Sequence, residues 1–103
     1  MSANLAPLSE IDRLIHEPAR FQVLALLYVI ESADFTFIMG QLGLTWGNLS
    51  AHITKLEEGG YVEVVKGFKG KRPQTMLSLT KQGRKAFQLY RQTMKQMLDE
   101  IPE

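Results

Sequence analysis

The spacing of apolar residues along the chain predicts several helices before any other feature is considered. Near the N-terminus the spacing is helical, and Ser9 is placed to start the helix; its apolar positions are Leu8, Ile11, Leu14 and Ile15. Pro18 opens a second helix, because proline is tolerated in a first turn. That helix is apolar on nearly all sides up to Ile30, which predicts a central, buried position.

Two further helices follow with a short connection between them. Residues 35–42 have apolar side chains on one face, and Gly43 stands where a left-handed C-terminal cap is needed. Thr45 is a suitable N-cap for a helix that runs to about Glu58. The apolar positions of this helix fall within one narrow arc, so we expect its opposite face to be exposed.

The second half of the chain has the pattern of a hairpin followed by a long helix. Residues 61–68 are rich in β-branched and aromatic side chains and predict a strand, with a loop over 69–74 and a second strand over 75–79. Thr80 is an N-cap for a helix from Lys81 to about Ile101. The order helix, tight turn, helix, hairpin, helix predicts an α+β winged helix-turn-helix fold, mainly helical, with residues 1–103 as one domain and 81–101 as a dimerisation helix.

Length and composition limit the possible classes of protein. A chain of 103 residues has room for one core, and the absence of cysteine excludes disulfides, thiolate metal ligands and a cysteine nucleophile. No run approaches the ~20 consecutive apolar residues of a membrane span, and the pattern of a signal peptide is absent. We therefore expect a cytoplasmic protein without a membrane partner. No phosphate loop, paired carboxylates or serine–histidine pair indicates an enzyme, and no cofactor is expected.

The net charge of +1 conceals a strongly uneven distribution. Residues 1–63 hold eight acidic side chains and three basic ones, whereas residues 64–98 hold nine basic side chains and no acidic one. Such asymmetry indicates a positive surface that meets a polyanion. A solvated basic helix and loop are the simpler alternative.

The exposed face of the predicted fourth helix has side chains suited to the major groove of DNA. Small residues allow close approach, Asn48 can pair with an adenine edge, and the longer side chains can contact bases or phosphates. The candidate DNA-binding residues here are Thr45, Gly47, Asn48, Ser50, Ala51, Thr54 and Lys55. Any polar, solvent-facing helix shows a similar composition, so this face alone does not decide the function.

The predicted hairpin adds a basic tip with two glycines and a proline beside it. Its candidate DNA-binding residues are Lys66, Lys69, Lys71 and Arg72. A basic tip of this kind can follow the phosphate backbone, and an arginine can enter the minor groove. Charge that merely solubilises a loop is the alternative.

These residues resemble those of a known family. The run from Leu44 to Val62 looks like the recognition helix and first wing strand of winged-helix regulators of the MarR/ArsR type, in particular the short single-domain proteins of bacteria and archaea. Residues 16–20, 66–68, 72–73 and 79–84 fit the same family, and the resemblance extends from about Leu8 to Phe87. It implies a homodimer, binding to double-stranded DNA and control of transcription, usually repression.

Sensing of a metal or a small molecule has less support in the sequence. The chain departs from ArsR-type metal sensors in having only His16 and His52 as strong ligands, so we expect His52 to pack or to contact phosphate. A histidine–carboxylate site across a dimer stays open. Trp46, Tyr90, Met94 and Met97 would suit a pocket between subunits, but core or interface positions are more usual, and no effector is predicted.

The last helix carries one continuous apolar stripe at alternating spacings of three and four. With the N-terminal helix it forms the predicted dimer interface, whose residues are Leu8, Ile11, Phe87, Tyr90, Met94, Met97 and Ile101. The alternative is that this helix folds back on its own domain, which we expect at least for Phe87. A two-fold dimer would address an inverted repeat with half-sites about one helical turn apart.

Sequence-specific DNA binding by a homodimer is thus the predicted function, with two alternatives. A winged helix can serve protein–protein contact, which would place apolar anchors on the exposed face of the fourth helix. A non-specific, chromatin-like DNA-binding protein would be more basic than this chain.

Overall fold

Residues 10–103 are described by the computed structural model, which contains four helices and three strands in this part of the chain. In chain order the elements are α1 (Pro18–Ile30), β1 (Ser32–Asp34), α2 (Phe35–Leu42), α3 (Trp46–Glu58), β2 (Val62–Lys69), β3 (Arg72–Leu79) and α4 (Lys81–Glu100). The predicted α+β winged-helix architecture is confirmed.

Helix boundaries lie where the capping residues predicted them. Thr45 accepts a hydrogen bond from the backbone N–H of Asn48 at the start of α3, and Thr80 accepts one from Gly83 at the start of α4. Gly43 ends α2 with φ of 64°, a left-handed conformation that glycine adopts without steric cost. Asp34 caps α2, and although burial alone raises its pKa, hydrogen bonds from Gln74, Thr36 and Phe37 lower the pKa of this carboxyl overall.

The N-terminal helix is the clearest error among the predicted elements. Leu8 and Ser9 lie outside the described residues, and residues 11–17 form a turn rather than a helix. The carboxylate of Asp12 accepts hydrogen bonds from the backbone N–H groups of Leu14, at 3.0 Å, and Ile15, at 3.4 Å, which is a local alternative to helical bonding. Ile15 is nonetheless fully buried, so its apolar character reflects the core and not a helical period.

Asp12 also ties this turn to the start of the hairpin. The hydroxyl of Tyr61 donates to Asp12 Oδ2 at 2.5 Å. Burial, together with this bond and the carboxylate charge, raises the pKa of Tyr61 to about 12.

The sheet has the strand order β1-β3-β2, with both pairs antiparallel. Residues 32–34, for which the sequence predicts no strand, form β1 because they pair with β3 from Ser32↔Ser78 to Asp34↔Met76. Three residues carry too little pattern to indicate a strand; the partner strand defines it.

The hairpin of β2 and β3, called the wing below, has longer strands and a shorter loop than predicted. The loop expected over 69–74 is wrong, because Lys69 pairs with Arg72 and only two residues, Gly70 and Lys71, connect the strands. Gly70 has φ of 64°, which suits a two-residue hairpin turn. Pro73 is tolerated within β3 because β1 reaches only residues 76–78, which leaves β3 with a neighbour on one side at this point.

One core unites the helices with the base of the hairpin. Helix α4 contributes Phe87 and Tyr90 to this core. The fully buried members come from α1, α2, α3, β3 and the turn before α1; they are Ile15, Val23, Leu24, Leu27, Ile38, Leu49, Leu56 and Leu77. The apolar arc predicted for α3 is confirmed. No helix of residues 10–103 is long and apolar enough to cross a membrane.

The start of α4 is held against the hairpin by a close backbone approach at Gly83. A Cβ atom at this position would collide with the backbone carbonyl oxygen of Tyr61 and would also lie 2.9 Å from Leu79 Cδ1. Because backbone atoms cannot move aside as a flexible side chain does, only glycine fits here.

Replacing Gly83 with alanine is therefore expected to lower the free energy of unfolding by about 1–3 kcal/mol, the usual range for overpacking. Urea denaturation at fixed protein concentration measures the change. Gly40→Ala is the matched control, since nothing lies within 4 Å of a Cβ in that α2 position. In this control the better helix propensity of alanine should leave stability equal or slightly higher. Equal stability of Gly83→Ala and wild type would contradict the close approach.

Candidate nucleic-acid interface

The predicted recognition face lies on the outer side of α3. Leu49, Ile53 and Leu56 are buried, which fixes the rotation of the helix about its axis. The side chains on the opposite side face solvent. Ser50 is half-buried, and the exposed residues are Thr45, Gly47, Asn48, Ala51, Thr54 and Lys55.

Two of the threonines on this face already make hydrogen bonds within the helix. The Thr45 hydroxyl accepts from the Asn48 N–H at 3.2 Å, so its first task is to cap α3. The Thr54 hydroxyl donates to the Ser50 carbonyl at 2.9 Å and keeps its lone pairs as acceptors. The Asn48 side-chain amide keeps both donor and acceptor capacity toward solvent, since only its backbone N–H is used in the cap.

A polar cluster connects α3 to the start of α1. His52 Nδ1 lies 3.3 Å from Glu17 Oε2 and 3.3 Å from Arg20 Nη1. Glu17 also caps α1 through a 2.5 Å hydrogen bond from Ala19, and Arg20 Nε donates to the Leu14 carbonyl at 2.7 Å. His52 therefore packs on the edge of α3 that faces α1, as expected, and the cluster connects the two helices.

Four cations are concentrated at the free end of the wing. Lys69 and Arg72 are directly paired across the two strands, and Lys71 lies in the turn between them. All three are exposed, as is Lys66, which lies three residues before Lys69 in β2. Like charges placed opposite each other destabilise a hairpin, so this arrangement is unfavourable for folding and favourable for contact with an anion.

Helix α3 and the wing face each other across a cleft of about 190 Å³. On the helix side it is lined by Trp46, Ser50 and Thr54, and on the wing side by Lys66 and Thr75. Of the candidate DNA-binding residues, the cleft brings together Ser50 and Thr54 of α3 with Lys66 of the wing, and Glu57 also lines it. The cations at the tip of the wing do not line this cleft.

Two exposed aromatic residues within this region were not predicted to belong to it. Trp46 begins α3 with 66% of its surface exposed and its ring 6.0 Å from that of Phe35. Phe68 lies near the tip of the wing with 74% of its surface exposed. A signal for Phe68 was present in the sequence, because it is the aromatic residue closest to the basic tip, but the sequence analysis used it only as part of a strand.

Residues of the α4 stripe are divided between the core and the surface. Phe87 and Tyr90 belong to the core of their own chain, where Phe87 stacks on Phe21 with centroids 5.7 Å apart. Met97 is buried, Met94 and Ile11 are half-buried, and Ile101 is exposed, while Leu8 is outside the described residues. The folding-back expected for Phe87 is therefore present and includes Tyr90.

Between α1 and α4 an open apolar groove of about 730 Å³ remains. Its walls contain Phe21, Tyr28, Val29, Met94 and Leu98, with Arg91 and Lys95 also lining it. Val29 is 79% exposed and Leu98 62% exposed, so this groove presents much of the uncovered apolar surface of the two helices. Within residues 10–103, no three His, Asp or Glu side chains are grouped closely enough to hold a metal ion.

Comparisons with known proteins agree with this architecture. Residues 19–98 match the family model of the winged helix DNA-binding domain. An uncharacterized protein of Methanocaldococcus jannaschii is 40% identical over 78 residues, which is 76% of this chain and 85% of the relative.

Solved structures give the same result. A transcriptional regulator homologue from Pyrococcus horikoshii OT3 is similar with a TM-score of 0.84 and 31% identity, over 89% of this chain and 93% of that one. The transcriptional repressor BigR from Xylella fastidiosa shares the fold, with a TM-score of 0.64 and 22% identity over 93% of this chain and 88% of its own. The predicted resemblance to winged-helix regulators is confirmed, and the chain belongs to the winged helix DNA-binding domain family.

Proposed function

We propose that this winged-helix protein binds double-stranded DNA sequence-specifically as a homodimer and represses transcription. The observation that carries the proposal is the cleft in which Ser50 and Thr54 of the polar face of α3 lie beside Lys66 of the basic wing. A helix in the major groove and a basic hairpin on the neighbouring backbone need this adjacency. The proposed role is binding and not catalysis.

Base reading is assigned to the first half of α3. Gly47 and Ala51 leave the backbone free to approach the base edges, and the exposed Asn48 amide is matched to adenine N6 and N7. Ser50, Thr54 and Lys55 supply further contacts to bases or phosphates. Phosphate neutralisation is assigned to Lys66, Lys69, Lys71 and Arg72 of the wing.

Dimerisation is assigned to the groove between α1 and α4, which modifies the interface expected from the stripe. Phe87 and Tyr90 are largely used within one chain, so the surface left for a partner is Met94, Leu98 and Ile101 with Val29 of α1. A contiguous exposed apolar surface of this kind is typical of an interaction site. A second copy that places its own α4 along the groove would bury it symmetrically.

Repression is the simplest regulatory outcome for such a protein. Occupying an operator blocks a promoter with no further contact, whereas activation needs an additional surface for the transcription machinery. The neighbour BigR, similar in fold, is a transcriptional repressor.

A protein–protein role is the second candidate, and Trp46 is the observation that favours it. A helix that binds a protein should expose apolar anchors, and Trp46 is such a residue at the start of α3. The remaining face, with glycine, asparagine, serine, alanine and threonine, favours DNA.

Selection of duplexes from a random pool at physiological salt distinguishes these functions. We expect enrichment of an inverted repeat with half-sites about one helical turn apart. Retention of DNA without enriched sequence would indicate a non-specific binder. Failure to retain DNA even at low salt would favour the protein-binding role.

Replacing Asn48 or Arg72 with alanine is expected to change DNA binding in different ways. Asn48→Ala should remove about 1–3 kcal/mol of discrimination at one base position. Arg72→Ala should weaken binding to all duplexes and reduce the slope of log K against log salt by about 1. Titrations at several salt concentrations with the selected and a scrambled duplex measure both effects.

Controls for these variants come from exposed residues of α4. Gln92→Ala removes an amide and Lys85→Ala removes a charge away from the proposed surface. Both should bind as wild type. If Asn48→Ala retained full preference and affinity, the placement of α3 in the major groove would be wrong.

Two exposed leucines of α4 test the proposed dimer interface. Leu98 lines the groove and is 62% exposed, whereas Leu89 is 65% exposed and does not line it. Leu98→Asp should shift the protein to monomer in sedimentation equilibrium, because it places a charge in an apolar interface. Leu89→Asp should remain dimeric. If Leu89→Asp were monomeric and Leu98→Asp dimeric, the interface would lie on the side of α4 that carries Leu89.

A further inference from the structure

We propose that Phe68 and Pro73 form an apolar wedge at the tip of the wing, which packs into the minor groove of DNA beside the site read by α3. This inference rests on the proposed function and adds a contact to it that the basic residues do not provide.

The register of the hairpin places the two residues side by side. Phe68 pairs with Pro73, and two positions further in Lys66 pairs with Thr75, followed by Val64 with Leu77. Because side chains alternate between the faces of a strand, Phe68 and Pro73 continue the same face as Val64 and Leu77. The apolar face of the wing is thus extended to its tip, with Lys66 and Thr75 between.

Folding accounts for the inner part of this face and not for its tip. Leu77 is fully buried and Val64 is partly buried against the core, whereas Phe68 is 74% exposed and Pro73 is exposed. Within residues 10–103 no other aromatic ring stacks on Phe68. Hydrophobic stabilisation requires the removal of apolar area from water, so the ring contributes little to stability where it lies.

The charges around the ring identify its partner as a polyanion. Lys66, Lys69, Lys71 and Arg72 are all exposed within four residues of Phe68. An apolar protein groove would leave these cations without partners, whereas duplex DNA offers phosphates on both sides of a narrow groove.

The cleft between wing and α3 fixes which part of the duplex the tip can reach. Lys66 and Thr75, on the face shared with Phe68, line this cleft opposite Trp46 and Thr54. When α3 occupies the major groove, the face of the wing that carries Phe68 is therefore turned toward the same duplex. Apolar side chains that enter the minor groove partly unstack a base step and kink the helix, and phenylalanine and proline are among the residues used.

The test uses Phe68→Ser, Phe68→Leu and a control on the opposite face of the same strand, Val65→Ser. Val65 is 50% exposed, so its replacement alters the wing without altering the wedge. The probe is the inverted-repeat duplex enriched in the selection, about two helical turns long, with a donor and an acceptor fluorophore at its ends. Binding is measured by anisotropy, bending by energy transfer, and the oligomeric state by sedimentation.

We expect wild type to bend the duplex, and Phe68→Ser to lose most of the bend and roughly tenfold in affinity. Phe68→Leu, which keeps an apolar wedge, should stay within about twofold of wild type. Val65→Ser should match wild type in both measurements.

Binding and bending that are unchanged in Phe68→Ser would overturn the wedge and leave the DNA-binding function intact. Loss of the dimer in Phe68→Ser would overturn it too, because a second copy of the chain would then be the partner of the tip. If wild type bound no duplex, the wedge and the proposed function would fail together.

Discussion

The burial of one edge of α3 is the constraint on which the rest of the structure depends. Leu49 and Leu56 are fully inaccessible and Ile53 nearly so, and α3 packs against α1 and the β2 strand of the hairpin. Because three side chains on one narrow arc are packed, the helix cannot rotate, and its small and polar residues must face outward. The Glu17–Arg20–His52 cluster adds polar contacts between α3 and the start of α1. A surface of glycine, alanine and serine is useful for approaching DNA only when it is held in this way.

Burial of part of a helix also explains the divided role of α4. Its first half completes the core with Phe87 and Tyr90, and the close contact of Gly83 with Tyr61 holds it against the hairpin. In its second half Met94 packs against the core and Met97 is buried, whereas Leu98 remains uncovered, as does Ile101 just after the helix. A helix that is fixed at one end and apolar at the other transmits the geometry of any dimer directly to the position of the wing and of α3.

The wing, by contrast, carries features that do not favour folding. Paired cations at Lys69 and Arg72 repel each other, and Phe68 leaves its ring in water. Native proteins retain such arrangements where a partner offsets the cost, which is the reason for proposing that the tip contacts DNA. The base of the same hairpin, with Val62 and Leu77 buried, holds the tip at a fixed distance from α3.

The sequence by itself determined the helices after Pro18, their caps and the winged-helix order, because these depend on local signals. Thr45, Thr80 and Gly43 act within one turn of chain, and the apolar arc of α3 repeats at the helical period. The outward position of most candidate residues on α3 was also predictable from the apolar arc, whereas their contact with DNA stays a prediction. Tertiary structure alone decided the rest. Strand β1 exists because β3 pairs with it. Residues 11–17 form a turn because the Asp12 carboxylate accepts hydrogen bonds from the backbone there and from the hydroxyl of Tyr61, which is distant in the sequence. It also decided that Phe87 and Tyr90 belong to the core while Phe68 remains exposed. Burial is a property of which surfaces meet, and an apolar residue in a sequence does not carry that information.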